Sequence, residues 1–401
     1  MSRGAGFYGR GLGLFLALTV LSASSDVGPE ATAGFDTLTN GAVDQETHDA
    51  DRVQFEEPVT AEKGLGPLYN ATSCVDCHQN PVTGGSSQIS EMRAGHLERG
   101  RFVNPEGGSS LIHDRATDRE IQQRIPASEE VRALRMSTSL LGLGYVEAVS
   151  DQTLLDLAKA QSERTEGRVH GQAIMVAISE APGVFRVGRF GWKDQHGSLL
   201  SFAADADLNE KGITNRLLPD ESSYFGRSVS AFNQDATQPN DTEGDIDNYT
   251  SFMRATKVPA RGPITPEVQA GEVLFRRIGC EVCHTGTLQT VATSTGLNGG
   301  TFEVPAALGG KTIHPFSDFL LHDVGTGDGI VQNGGQETRN KMRTAPLWGL
   351  RTRGRLLHDG SASDLTTAIR RHEGEAKFTH ERFHRLDGKE VRQLLAFLNS
   401  L

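Results

Sequence analysis

Two short patterns of the same form, Cys74-Val75-Asp76-Cys77-His78 and Cys280-Glu281-Val282-Cys283-His284, use all 4 cysteines of the chain. Two thiols three positions apart can add to the two vinyl groups of one porphyrin. The histidine that follows then stands beneath the iron as its proximal ligand, so C-x-x-C-H is the attachment pattern of c-type haem. A structural zinc site would pair the two C-x-x-C units with each other and gives no reason for a histidine after each. The sequence therefore predicts two covalently bound haem c groups. Cys74, Cys77 and His78 hold one, and Cys280, Cys283 and His284 hold the other. Each porphyrin needs its own apolar envelope, which predicts two haem domains in tandem.

The rest of the composition agrees. With 36% apolar and 23% charged residues, the 401-residue chain has the profile of a globular protein. A net charge of -11 argues against a nucleic-acid partner. Arg3 and Arg10 flank the start of an apolar run, Gly11–Leu21, that is shorter than the ~20 residues a membrane span needs. Small residues at 22–25 follow, so 1–25 reads as a cleavable signal peptide, with a short membrane anchor as the alternative. A periplasmic or secreted protein is expected, with no transmembrane segment in the mature chain. Exported proteins usually spend cysteines on disulfides. Here none is left over for one.

The expected organisation is an N-terminal haem domain over 26–255 and a C-terminal cytochrome c-like domain over 256–401. The Pro- and Gly-containing stretch 256–265 joins them. The fold class is mainly α, with long loops and a small β-hairpin element in the first domain. Thr265-Pro266-Glu267 is a helix start, with a cap, a proline at the first position and an acid in the first turn. Asp387 and Glu390 form a capping box ahead of a stripe of Val391, Leu394, Leu395 and Leu398.

An internal repeat adds a chemical prediction. Gly188-Arg189-Phe190-Gly191-Trp192 followed by Leu199 aligns without a gap with Gly354-Arg355-Leu356-Leu357-His358 followed by Leu365, and Ser363 reads as the cap of the helix that Leu365 opens. On a helix, Leu365, Ala368, Ile369 and His372 share one face, so His372 points inward and becomes the candidate sixth ligand of the second iron. The aligned residue in the first half is Ala206, which cannot ligate. One haem is thus predicted to be capped on both faces and the other to be open. An open iron calls for an acid–base group. Glu210 follows Ala206 by one helical turn and is the first candidate, with Glu147 and Asp207 behind it. Met342 rivals His372 as ligand, and Met136 reads as core. Arg343 and Arg355 have the fork of donors that suits haem propionates. His322 and His358 read as structural, while His96 and His113 could cap the first haem in a resting form.

Several stretches together resemble the di-haem oxidoreductases of the bacterial cytochrome c peroxidase and MauG superfamily. They are GLGPLYNATSCVDCH, LLGLGYVEAV, VGRFGWKDQ, GITN, FRRIGCEVCHT, FLLHDVG, RTAPLWGLR, LLHDGSA and AIRRHEGEA, spread from Ala61 to the C-terminus. The resemblance implies a six-coordinate C-terminal haem whose distal ligand, usually Met or Tyr, is here His372. It implies that Trp192 stands between the haems, matching the family's motif in part, and that Glu210 is the catalytic acid. Ca²⁺ and a homodimer are also found in relatives, although the sequence holds no sharp calcium signature. The reading that follows is an oxidoreductase that reduces hydrogen peroxide with electrons from a small cytochrome c or copper protein. A MauG-like oxidase of a protein or organic substrate, working through a high-valent di-haem state, and a plain electron carrier are the alternatives.

Overall fold

The computed structural model describes Met1, residues 28–235 and residues 237–401. The expected signal peptide, beyond Met1 itself, lies outside the described residues.

Nine helices appear among these residues: α1 (Gln45–Glu56), α2 (Leu143–Glu147), α3 (Asp151–Arg164), α4 (Leu199–Lys211), α5 (Asp245–Ala255), α6 (Pro266–Ile278), α7 (Leu365–Arg370), α8 (Lys377–His384) and α9 (Gly388–Leu398). The fold is mixed rather than mainly α, with 31% helix and 16% strand. Much of the strand content is two- and three-residue antiparallel pairs that tie long loops together. The exception is a four-stranded antiparallel sheet around Ser90–Glu98. In it Met92 faces Ile112 on one side and Leu134 on the other. A separate hairpin pairs Met175–Ala177 with Phe185–Val187.

The helix starts and stops follow the sequence. Thr265 caps α6 by accepting from the Val268 amide, Pro266 opens it, and Gly279 ends it in a left-handed conformation (φ 101°). The chain then turns directly into Cys280–Val282, so α6 delivers the second thiol pair. Asp387 and Glu390 close the capping box of α9. Helices α6 and α9 pack at close range because position 271 is glycine. A Cβ there would lie 1.9 Å from the carbonyl oxygen of Gln393.

Two apolar clusters dominate the core. The smaller joins α6 and α9 through Phe275, Ile278, Leu394 and Phe397. The larger gathers Phe55, Tyr145, Leu199, Tyr249 and Phe252 with Leu288, Phe319 and Trp348, and so draws side chains from both sides of residue 256. No helix of the described residues is long and apolar enough to cross a membrane.

Candidate functional site

Two large, mostly apolar cavities lie side by side, about 760 and 710 Å³ in volume. Each is lined by one of the C-x-x-C-H motifs. Cys280, Cys283 and His284 line the larger, and Cys74, Cys77 and His78 line the smaller. All four thiols are free. Burial pushes Cys74 up to about 11, and Cys77 and Cys280 to about 12.

In the larger cavity His284 and His372 both stand in the wall. The His284 Nδ1 donates to the Phe316 carbonyl at 3.0 Å, and the His372 Nδ1 donates to the Ala368 carbonyl at 2.8 Å. A ring whose Nδ1 is spent on a carbonyl keeps its lone pair on Nε2, the form a metal needs. Burial first, and then the neighbouring His372, lower His284 to about 4, so the ring is neutral. The local structure around His372 differs from the expectation in one respect. Helix α7 ends at Arg370, because the Glu373 amide turns away to bond the Val324 carbonyl at 2.9 Å. The His372 amide still bonds Ile369 at 3.1 Å, so the ring keeps its helical direction just past the C-cap at Arg371; at the other end Asp364, not Ser363, caps the helix by accepting from the Thr367 amide. Met342 is buried and also lines this cavity.

In the smaller cavity the His78 Nδ1 donates to the Gly85 carbonyl at 3.2 Å. Ala206 and Glu210, both on α4, line the same space. The aligned pair of the repeat, Ala206 and His372, thus comes to the two cavities respectively. The Glu210 carboxyl accepts from Asn70 at 2.8 Å. Burial raises it to about 8, helped by the adjacent carboxylate of Glu91. For Glu91, burial also opposes ionisation, but Arg93 outweighs it and holds the group low. Arg93 grips Glu91 with two hydrogen bonds of 2.7 and 3.0 Å. Glu91 carries no local signal in the sequence, since it is a strand residue far along the chain from Glu210. His113 is buried in the same wall, with Nδ1 at 3.2 Å from Gln123 and Nε2 without a hydrogen-bond partner among the described residues. Burial lowers it to about 4.

Other candidates go elsewhere. Glu147 lines neither cavity. It is fully buried in a saturated cluster, where Arg254 reaches it at 2.7 and 3.0 Å, and Asn298 and the Leu199 amide each donate at 2.9 Å. Both oxygens of a carboxylate so held already accept hydrogen bonds within the cluster. Asp207 reaches the cavity wall but pairs with Lys211 at 2.8 Å. His96 is paired with Glu129 at 2.9 Å and lies outside both cavities. His322 is clamped between Asp318 and Glu375, each at 2.9 Å.

The two cavities share a wall of Met136, Ser137, Thr138, Gly191, Trp192 and Phe202. The Trp192 Nε1 donates to the Met136 carbonyl at 2.8 Å, and the indole meets His358 edge-on at 6.2 Å. The next residue, Lys193, and the buried Arg135 share Asp328 at 3.1 and 2.7 Å. That buried network holds the loop carrying Trp192 in place.

Residues 109–401 match the family model described as di-haem oxidoreductase, putative peroxidase. The chain belongs to that family. The matched span starts after His78, so the first attachment motif lies outside it. No curated protein matches the chain. Among solved structures it is similar to hydrazine synthase of Kuenenia stuttgartiensis, at 14% identity over 97% of this chain and 100% of that one, with a TM-score of 0.40. It is also similar to a MauG-like protein associated with microbial copper homeostasis (15% identity, 94% and 93% covered, TM-score 0.42). A third is the diheme peroxidase BthA of Burkholderia thailandensis (14% identity, 93% and 94% covered, TM-score 0.34).

A di-haem oxidoreductase needs two places for a porphyrin with its iron, and the residues present fit that demand. Each cavity offers a thiol pair and a buried imidazole whose Nδ1 donates to a backbone carbonyl. The larger also has two guanidinium groups in its wall, Arg343 and Arg353. Arg343 is buried, donates to the Gly191 carbonyl at 2.7 Å and is 3.7 Å from the nearest oxygen of Asp194. Arg353 donates to the Trp348 carbonyl at 3.1 Å, and burial together with Arg343 lowers it to about 10. Guanidinium groups in an apolar wall suit anions, and the propionates of a haem are such anions. Arg353 was not among the sequence candidates. Arg355, which was, lines the cavity but is exposed. The residues fit Ca²⁺ less well. Among the described residues, one group of three or more His, Cys, Asp or Glu side chains could hold a metal ion, and its members are Cys283, Asp318 and His322 rather than the all-oxygen set calcium takes.

Proposed function

We propose that this di-haem oxidoreductase is exported, carries both haems covalently through its C-x-x-C-H motifs, and reduces hydrogen peroxide to water. The observation that carries the reading is an asymmetry. A second imidazole with its Nε2 lone pair free stands in the His284 cavity, whereas the aligned position in the His78 cavity is Ala206 with Glu210 one turn beyond. When bound, the haems supply the electrons and an iron coordination site for peroxide.

The chain's own residues do the rest. His372, with His284, would hold the second haem and leave that site to pass electrons. Trp192, in the wall common to both cavities, is the bridge for them. Ala206 leaves room above the first site. Glu210 accepts the proton of the bound peroxide at one carboxyl oxygen and returns it to the departing oxygen, so that two protons and two electrons convert one peroxide to two waters. Burial beside Glu91 gives Glu210 the raised affinity for a proton that this exchange needs. The apolar lining excludes bulk water from both sites.

The test is an absorbance spectrum with the intact mass, followed by turnover. The processed chain should gain about 1.2 kDa for two haems added at two attachment motifs. One low-spin and one cyanide-binding haem are expected, as is peroxide-dependent oxidation of a reduced small cytochrome c or copper protein. Two low-spin haems that bind neither cyanide nor peroxide would leave only an electron carrier. Peroxide use that requires a protein or organic substrate, and no donor, would make it a MauG-like oxidase.

A further inference from the structure

Helix α8 carries His380 and His384 four residues apart, which places them on one face. Their ring centroids are 4.6 Å apart and the two Nε2 atoms are 2.7 Å apart. Behind His380, the Glu373 carboxylate accepts from Nδ1 at 3.0 Å. That contact fixes the tautomer, with the proton on Nδ1 and the lone pair on Nε2, directed at His384. Two lone pairs cannot face each other at this distance, so a proton on the His384 Nε2 bridges the rings. A metal ion can take the place of that proton. Imidazole nitrogens bind such ions at about 2.0–2.1 Å, which for a tetrahedral site puts the two nitrogens about 3.3 Å apart. The rings need to open by only a few tenths of an ångström on either side. His384 is exposed and the His380 side chain is 16% exposed, so an ion can reach them.

We propose that His380 and His384 chelate one divalent transition-metal ion of the Zn²⁺ or Cu²⁺ class, with water completing its shell. The donor set is nitrogen, which suits these ions and not Ca²⁺ or Mg²⁺. Glu373 is the carboxylate that orients the first ligand from behind. His380 also lines the cavity of His284 and His372, so the ion sits at the rim of that cavity. The site does not depend on peroxide reduction and stands or falls by itself.

Calorimetric titration of the haem-loaded full-length protein with Zn²⁺ is the direct test. Cu²⁺ electron paramagnetic resonance gives the second readout. Saturable binding of one ion per chain is expected, with Cu²⁺ tighter than Zn²⁺. His384→Ala should weaken it at least tenfold, and Glu373→Ala by about 10–100-fold, the usual cost of losing an outer-shell partner. The Cu²⁺ spectrum should show two coupled nitrogens, falling to one in His384→Ala. An unchanged haem spectrum shows each variant is folded, and His384→Gln serves if the alanine variant is not. No saturable Zn²⁺ binding, or an affinity and Cu²⁺ spectrum indifferent to His384→Ala, would overturn the site.

Discussion

The carboxyl groups of Glu91 and Glu210 meet in the wall of the His78 cavity, and the two hydrogen bonds of Arg93 both go to Glu91. One member of the pair is therefore held ionised and the other is pushed toward its neutral form. In the proposed role, Glu210 must lose its proton before it can take one from peroxide. We expect kcat/KM for peroxide to rise with pH and level off above about 8, the value to which burial and Glu91 raise Glu210. Glu91→Gln removes the neighbouring charge and frees Arg93 for Glu210. The rising limb should then move toward the ordinary glutamate range, so that the variant outperforms the wild type at acid pH. A pH profile with the same midpoint in both proteins would rule this coupling out.

Glu210→Gln should lower the peroxide-dependent rate by about 10²–10⁴-fold, the usual contribution of a positioned acid–base group. Both haems should remain attached, as intact mass will show. The same substitution has a stability signature. Glu210 has a folded-state affinity for protons above its unfolded one. Its contribution is therefore fully present below the unfolded value and is lost as pH rises through about 8. Glutamine does not titrate, so the loss of Tm in that window should be smaller in the variant. Wild-type kinetics in Glu210→Gln would discard the role.

Glu147 makes a contrasting case. Its side chain is fully buried against Arg254. Removing one partner of such a pair costs about 3–5 kcal/mol, because the other charge is left uncompensated. Arg254→Ala should accordingly lower Tm by many degrees while leaving peroxide turnover per haem-loaded molecule unchanged. If turnover falls and Tm does not, Glu147 belongs to the chemistry after all.

Part of this site could be read from the chain and part could not, for a physical reason. The thiol pairs and their histidines are contiguous, so spacing alone defines them. His372 and Ala206 were legible because the repeat carries a helix-start and an inward face in each half. Glu91 and Arg353 were not. Each reaches its cavity through tertiary packing, from a sheet strand and from a loop beyond Gly349, and no periodicity marks such positions. The same limit explains Glu147, where the sequence shows a carboxylate but not the Arg254 and Asn298 that saturate it. It explains the mixed fold too, since two-residue strand pairs leave almost no alternating pattern. The 46 glycines were the available hint of long, closely packed loops.

His372 offers a graded test of the second haem. In His372→Ala that haem should lose one axial ligand, turn high-spin and bind cyanide. In His372→Met a thioether replaces the imidazole, and the reduction potential of that haem should rise, since a thioether favours reduced iron. Redox titration followed by absorbance measures both. If His372→Ala leaves the spectrum low-spin, the ligand is another side chain of the same wall, and Met342 is the first to substitute.

Trp192 makes the last case, because a bridge and a filler in the shared wall predict different kinetics. It contributes to both cavity walls, and its Nε1 hydrogen bond to the Met136 carbonyl fixes the plane of the indole. Trp192→Phe keeps an aromatic ring in the wall but drops that bond and half of the π-system. Reduction of the second haem by an external donor should proceed at the wild-type rate, because the donor does not need to cross the shared wall. Steady-state peroxide reduction should slow, because its electrons do. Stopped-flow absorbance separates the two steps, with the spectra of both haems as the control for intact sites. Equal slowing of both would mean that the substitution disturbed the cavities themselves, and no slowing of either would mean that electrons cross the wall by another route.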